Sequence, residues 1–494
     1  MLDRAPGRTF NIATELVDRH VAEGRGLRPA LQLAHQQRDV SYAELQALVN
    51  RAGNVLLEAG IQPEQRVAIV LPDGPEFVAT FIGAMKIGAV PVPMNTAARP
   101  SELQYMLSDS RARVLVTDET LAPSSMPSAV RVILSPDLAA ASTDLPTVAT
   151  GVDEPCYWLY SSGTTGQPKA VVHLHGDMLA CVAPYATEVV GIRPEDSTFS
   201  VARLFFSYGL VNSLFLPLLA GATAVLTPQR PDVAHTLEVV RAQRPTLFFS
   251  VPTSYAQLCS DASTRDAFKS VRLAVSAGEP LPAPLYQRWT STTGVEVLDG
   301  LGSTEVGYIF CSNLPGRVRP GSSGVLIGDH RARILSDTGQ DAPEGEIGEL
   351  WVQARSTALH YWNQRERSKR AFVGEWLRTG DRYARDADGY FWYQGRVDDV
   401  LKVSGQWVSP LELESCLLQH PGVLECAVVG ALDDSGLSKP KAYVVRREGS
   451  AVEAAELQAL ARERLLPHKY PRWVEFVPDL PKTATGKIQR FRLR

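Results

Sequence analysis

Along the 494-residue chain, short runs of β-branched and aliphatic residues alternate with stretches whose apolar positions recur at three- and four-residue spacing. The first pattern suits buried strands and the second amphipathic helices, so their alternation predicts an α/β architecture. Ser41-Tyr-Ala-Glu44 reads as a capping-box helix start. Its serine accepts from an orphan backbone N–H while the glutamate reaches back. That helix is expected to run to Gly60, with a buried strand over 66–71 and another helix over 75–88. Further strands are predicted at 113–117, 130–134, 223–227, 246–251, 271–276 and 295–298. Ser409-Pro-Leu-Glu412 repeats the signature with proline at the first helical position. Its helix is expected to end near His420-Pro421. Strands at 424–430 and 441–445, a helix at about 453–466 and a strand at 473–477 follow. Asp386 to Arg396 reads as a turn and short strand, so the domain boundary is expected near residue 397.

Composition removes whole classes of function. The 50 Lys+Arg against 54 Asp+Glu give a net charge of −4, whereas a general nucleic-acid binder is markedly basic. At roughly 150 residues per domain the length implies two to four domains. With 45% hydrophobic residues the chain can fill several cores. The N-terminal MLDRAPGRTF lacks the apolar stretch of a secretory signal. The longest apolar region, 211–226, is interrupted by Asn212, Ser213 and Pro217 and falls short of the ~18 clean residues of a membrane span. Six cysteines at 156, 181, 259, 311, 416 and 426 form no CxxC pair and read as buried free thiols from a reducing compartment. The expectation is a soluble, cytoplasmic protein.

Five strings carry candidate chemistry. Tyr160-Ser-Ser-Gly-Thr-Thr-Gly-Gln-Pro-Lys169 lies between two strand-like runs, 156–160 and 170–175. Its glycines let backbone approach an anion, its hydroxyls donate without bulk and Lys169 adds a cation, which suits a polyphosphate. The alternative is a simple hairpin turn. In Asp299-Gly-Leu-Gly-Ser-Thr-Glu305 the glutamate fits a Mg²⁺ ligand and Thr304 a phosphate donor; a strand-end turn with one solvated acid is the other option. Thr379-Gly-Asp381 with Gly395-Arg396-Val-Asp-Asp399 offers a carboxylate and an arginine suited to ribose hydroxyls. Lys402 to Pro410 is a glycine-containing loop just past the expected boundary. The final fourteen residues hold five cations and no acid, among them Lys487. His173 and His175 read as structural, since no nucleophilic triad is needed for such chemistry.

In this order and at these intervals, the five strings resemble the acyl-adenylate-forming superfamily of acyl-CoA synthetases, peptide-synthetase adenylation domains and luciferases. The resemblance runs from the Ser41 helix to Lys487. It implies an α/β fold: a large N-terminal domain, 1–396, with mixed sheets layered by helices, and a small mobile C-terminal domain, 397–494. Carried over by position, Ser161, Ser162, Gly163, Thr164, Thr165, Gly166 and Lys169 grip the ATP phosphates. Thr304 touches phosphate and Glu305 binds Mg²⁺. Ser276, Ala277, Gly278 and Glu279, with Asp299 and Gly300, frame adenine. Asp381 and Arg396 hold the ribose, Tyr393 joins the ATP-binding residues, Asp398 is the hinge and Lys487 the adenylation lysine.

Within the superfamily, 204–210, 310–316 and 402–410 are most similar to the benzoate-CoA ligase group. That likeness assigns Ser207, Tyr208, Gly302, Tyr308 and Ile309 to the acid pocket and brings Lys402 near the carboxylate. Ser207 stands where alanine is usual and Tyr308 where histidine is usual, and the added hydroxyls suggest pairing with a polar ring substituent, as in anthranilate. The implied activity is an AMP-forming aryl-CoA ligase using ATP, Mg²⁺ and coenzyme A on a small aromatic acid. The chain is expected as a monomer or homodimer with no nucleic-acid or membrane partner. The alternatives are an aryl-adenylating enzyme that loads an acyl-carrier protein and a non-catalytic nucleotide-binding protein of the same fold.

Overall fold

The computed structural model describes residues 9–493 apart from 35, 37, 124–126, 140, 162–166, 230, 398–400, 404–405, 434–436, 467–468 and 483–487. The strongest local signal is realised in full. Tyr42–Glu58 is a helix whose N-cap Ser41 Oγ accepts from the Glu44 amide at 3.2 Å, while Glu44 accepts from the Ser41 amide at 2.8 Å. Its partner, Pro75–Lys86, begins on proline and is buried along nearly its whole length, so it threads between layers.

The largest sheet has nine strands in the order Val325–Leu326, Ile309–Ser312, Val297–Gly302, Leu273–Ala277, Leu247–Ser250, Ser197–Ser200, Thr223–Leu226, Pro29–Leu33 and Arg38–Ser41. The six central strands are parallel and the edges antiparallel. A second sheet, Val90–Pro93, Arg66–Val70, Val114–Thr117 and Arg131–Leu134, is parallel throughout. Burial on both faces explains why both sets read as near-continuous apolar runs. One large core, containing Phe77, Phe81, Tyr157 and Phe215, joins the two systems.

Two smaller antiparallel sheets carry several of the expected site residues. Pro155–Ser161 and Lys169–Leu174 form a hairpin flanked by His360–Tyr361. Trp376–Arg385 pairs with Phe391–Arg396 and with Gly348–Gln353. Toward the C-terminus a separate core unites Val403, Val408, Leu413, Val428 and Val444. It lies among Pro410–Leu417, Val423–Leu432, Ser438–Arg446, Ala454–Arg464 and Trp473–Phe476. The second capping box is only half made. Ser409 Oγ accepts from the Glu412 amide at 3.5 Å, but the Glu412 carboxylate takes Lys469 Nζ at 2.6 Å. A full cation outcompetes a backbone amide for the carboxylate. All six cysteines are free, five of them buried and Cys259 half-buried. Among the described residues no helix is long and apolar enough to cross a membrane.

Candidate active site

Alternation along Lys169–Leu174 sorts its side chains. Ala170 and Val172 join the core against the four-stranded sheet, whereas Val171 packs on Ala358 and Tyr361. On this second face Lys169 Nζ donates to Glu305 Oε1 at 2.7 Å and to the Tyr361 hydroxyl at 2.9 Å. Tyr361 in turn donates to Glu305 Oε1 at 2.9 Å, and its ring centroid lies 4.1 Å from the ammonium. The expected phosphate cation and the expected magnesium carboxylate therefore meet. Burial opposes the charge on Glu305, yet Lys169 and the hydrogen bonds hold its carboxyl below the usual carboxylate range. The Tyr361 phenol is raised by burial and then by the neighbouring carboxylate. Nothing local in the His360-Tyr361-Trp362 string marks Tyr361; only its pairing with Val171 brings it here.

The turn carrying Thr304 and Glu305 is tied by its carbonyls. His173 Nε2 lies 2.7 Å from Thr304 O, the Ala358 amide donates to Glu305 O at 2.8 Å, and Ser207 Oγ donates to Gly307 O at 2.6 Å. Gly307 has φ 91° and an added Cβ would lie 2.6 Å from Met178 Cε, so the turn needs glycine there.

Asp381 and Arg396 are direct cross-strand partners. Arg396 Nη1 donates to Asp381 Oδ1 at 2.9 Å and to Thr379 O at 3.1 Å. Burial lowers the guanidinium, but Asp381 and more weakly Glu305 raise it overall. The expected ribose pair thus lies within the field of the expected phosphate site. Tyr393 is half-buried, its ring 5.2 Å from that of Tyr383.

Around the expected adenine frame, Ser276 and Asp299 are buried side by side on adjacent parallel strands. Asp299 Oδ2 accepts from the Leu281 amide at 3.2 Å, and burial raises its carboxyl well above the usual range. Gly278 and Glu279 lie beyond the strand end, nearer solvent. Gly300 and Gly302 are required by their antiparallel neighbour. A Cβ on Gly300 would meet Ile309 Cγ2 at 2.9 Å, and one on Gly302 would meet Tyr308 O at 2.6 Å.

The expected acid-pocket residues do converge. Tyr208 and Tyr308 stack with ring centroids 6.3 Å apart, and Tyr185 meets Tyr308 edge-on at 4.9 Å. The hydroxyls of Ser207, Tyr208 and Tyr308 each have their proton committed inside the protein. Ser207 donates to Gly307 O at 2.6 Å, Tyr208 to Val275 O at 3.0 Å and Tyr308 to Asn212 Oδ1. With its proton so used, Ser207 has only oxygen lone pairs left to offer a neighbour. Asn212 lies in a π-helical turn, 211–215, which sequence patterning did not resolve. Upstream, the Leu204 amide donates to buried Asp73 at 3.3 Å. Burial pushes the Asp73 carboxyl up to about 6 against the opposing pull of Arg203. Residues 162–166, Asp398 and Lys487, and the Lys402 side chain, lie outside the described residues.

Comparison with known proteins fits this geometry. The model of the AMP-binding enzyme family matches residues 18–362, and that of the AMP-binding enzyme C-terminal domain matches 412–487. A 4-hydroxybenzoate–CoA/benzoate–CoA ligase of Rhodopseudomonas palustris is 43% identical over 99% of this chain and 94% of its own length. A benzoate–CoA ligase of Thauera aromatica is also 43% identical, over 98% of this chain and 96% of its own. The crystal structure of the anthranilate CoA ligase AuaEII with anthranoyl-AMP superposes with a TM-score of 0.93 at 38% identity, covering 98% of this chain and 97% of that one. A large N-terminal and a smaller C-terminal domain, a nucleotide-type constellation on the first and this likeness along the whole length lead to one conclusion. The chain belongs to the AMP-binding enzyme family.

Proposed function

We propose that this chain is an AMP-forming aromatic acid–coenzyme A ligase. A carboxylate is a poor electrophile, because its charge repels nucleophiles and its oxygen leaves badly. In the proposed first step the aryl carboxylate oxygen attacks the α-phosphorus of ATP, forming aryl-AMP and breaking the bond to pyrophosphate. In the second, the coenzyme A thiol loses its proton and displaces AMP to give the thioester. Positioning and electrostatics supply most of the rate in phosphoryl-type transfers. The observation that carries this reading is the meeting of Lys169 with Glu305, 136 positions apart in sequence, beside the Asp381–Arg396 pair.

Among the described residues no group of three or more His, Cys, Asp or Glu is placed to hold a metal ion. The half-buried carboxylate of Glu305 fits Mg²⁺ bound mainly by substrate phosphates. The ion would neutralise charge on the leaving pyrophosphate, with Glu305 holding it and Lys169 turned to a phosphate oxygen. Ser161, Thr304 and residues 162–166 are assigned to phosphate, Asp381 and Arg396 to the ribose, and Lys402 and Lys487 to the carboxylate and the transferring phosphoryl. We place the change of domain at residue 397 and rotation of the small domain about Asp398, in the cytoplasm where both nucleotides are supplied.

For the acid itself, an amino- or hydroxybenzoate is favoured over plain benzoate, with anthranilate as the named candidate. Ser207 Oγ already donates its hydrogen bond to Gly307 O, so it accepts from an N–H or O–H on the ring and repels a halogen or nitro group. The test is thioester formation with ATP, Mg²⁺ and coenzyme A across substituted benzoates. Amino- and hydroxybenzoates should exceed benzoate in kcat/KM, and Ser207→Ala should erase the difference. Equal efficiency on all acids sinks the substituent assignment, and absence of pyrophosphate release with any aromatic acid sinks the ligase.

A further inference from the structure

We propose that His173 and Asp177 form a positioning pair that holds the Thr304–Glu305 turn in its working geometry. The inference builds on the ligase reading but rests on different contacts. His173 and Asp177 are fully buried, and the imidazole stacks on Tyr157 at 5.1 Å. His173 Nδ1 lies 3.1 Å from Asp177 Oδ2, and Nε2 lies 2.7 Å from Thr304 O. Both contacts are to oxygens, and a backbone carbonyl can only accept. The pair therefore carries two protons, one on Nε2 and one between Nδ1 and the carboxylate. Asp177 Oδ2 also accepts from the Leu174 amide at 2.9 Å, which fixes the carboxylate to the strand that bears the histidine.

This pair acts on the same turn as Lys169. Lys169 and His173 stand four residues apart on one face of Lys169–Leu174; one takes the side chain of Glu305 and the other the carbonyl of Thr304. Thr304 O also accepts from the Gly307 amide at 3.2 Å, so the clamp closes the turn on itself. A neutral histidine held by the oxygen of an asparagine would place its single proton on Nδ1 and turn a bare Nε2 to Thr304 O. Asp177→Asn thus removes the clamp without removing volume, by the tautomer logic known for Asp–His pairs in hydrolases.

The experiment compares wild type, Asp177→Asn, His173→Asn and the double variant. In nucleotide-free protein, hydrogen exchange of the amides at 306 and 307 should accelerate at least tenfold in either single variant. Exchange in the distant strand Thr223–Leu226 should stay within twofold, which separates a loosened turn from general destabilisation. In benzoate-dependent ATP–pyrophosphate exchange, each variant should raise the KM for MgATP at least fivefold. Asp177→Asn should add less than twofold once His173 is already asparagine. Thioester formation from supplied benzoyl-AMP should stay within threefold. Unchanged exchange at 306–307, or additive effects in the double variant, overturns the proposal. If wild type shows no pyrophosphate exchange with benzoate or with any amino- or hydroxybenzoate, the ligase reading fails while the amide measurement still decides the clamp.

Discussion

His20 and His175 show how burial sets protonation one residue at a time. His20 Nδ1 accepts from Arg25 Nε at 3.1 Å, and His175 Nδ1 accepts from the Ile12 amide at 3.3 Å. Burial pushes both rings down to about 4 from 6.5. Between those values the unfolded chain binds more protons than the folded one, so stability is complete above pH 6.5 and falls as pH drops toward 4. The limiting loss is about 3 kcal/mol for each ring. Urea unfolding at pH 7.5 and 5 should show the decline, reduced in His175→Asn; a pH-independent midpoint would contradict it. At this scale the sequence was partly legible. Lys169 and Glu305 stand in motifs, whereas Tyr361, Asn212 and Asp177 carry no local mark, because each acquires its role from a partner on another element.

Elements were the most legible level. The Ser41 helix matches its capping signature because both of its hydrogen bonds are local. The Ser409 box is half lost because Lys469, 57 positions away, competes for Glu412. The 204–210 string is held from both sides: Asp73 takes the Leu204 amide, and Gly209 lies against the backbone of Ala202 and Arg203. A Cβ at Gly209 would lie 2.1 Å from Arg203 O, so the segment must shift to admit it. Gly209→Ala should therefore move Ser207 and Tyr208 and cut kcat/KM for the aromatic acid at least 30-fold, by an order-of-magnitude estimate from misplacement. Pyrophosphate-exchange kinetics and a thermal melt would check it. Wild-type kinetics would show that the acid lies elsewhere.

At the scale of the whole molecule, the C-terminal elements keep a core of their own, and the candidate site draws on several sheets. Leu401 and Val403 pack with Leu413 and Val444, apart from the core that contains Phe81 and Phe215. In the proposed cycle the small domain brings Lys487 to the transferring phosphoryl and then withdraws it. Lys487→Ala should lower aryl-AMP formation by roughly 10²–10³-fold, the size of losing one charge-stabilising donor. Thioester formation from supplied aryl-AMP should persist. Equal loss in both half-reactions would refute the division of labour.

The amino-acid order alone determined the alternation of strands and helices, the Ser41 cap and the strings that carry candidate chemistry. These depend on residues a few positions apart, and local backbone chemistry acts at that range. Only the tertiary structure decided that Tyr361 joins Lys169 on Glu305, that His173 grips Thr304, and that the Ser207 proton faces inward. Those outcomes depend on which strand lies beside which and on which oxygen reaches a buried donor first, and no stretch of contiguous sequence contains both partners.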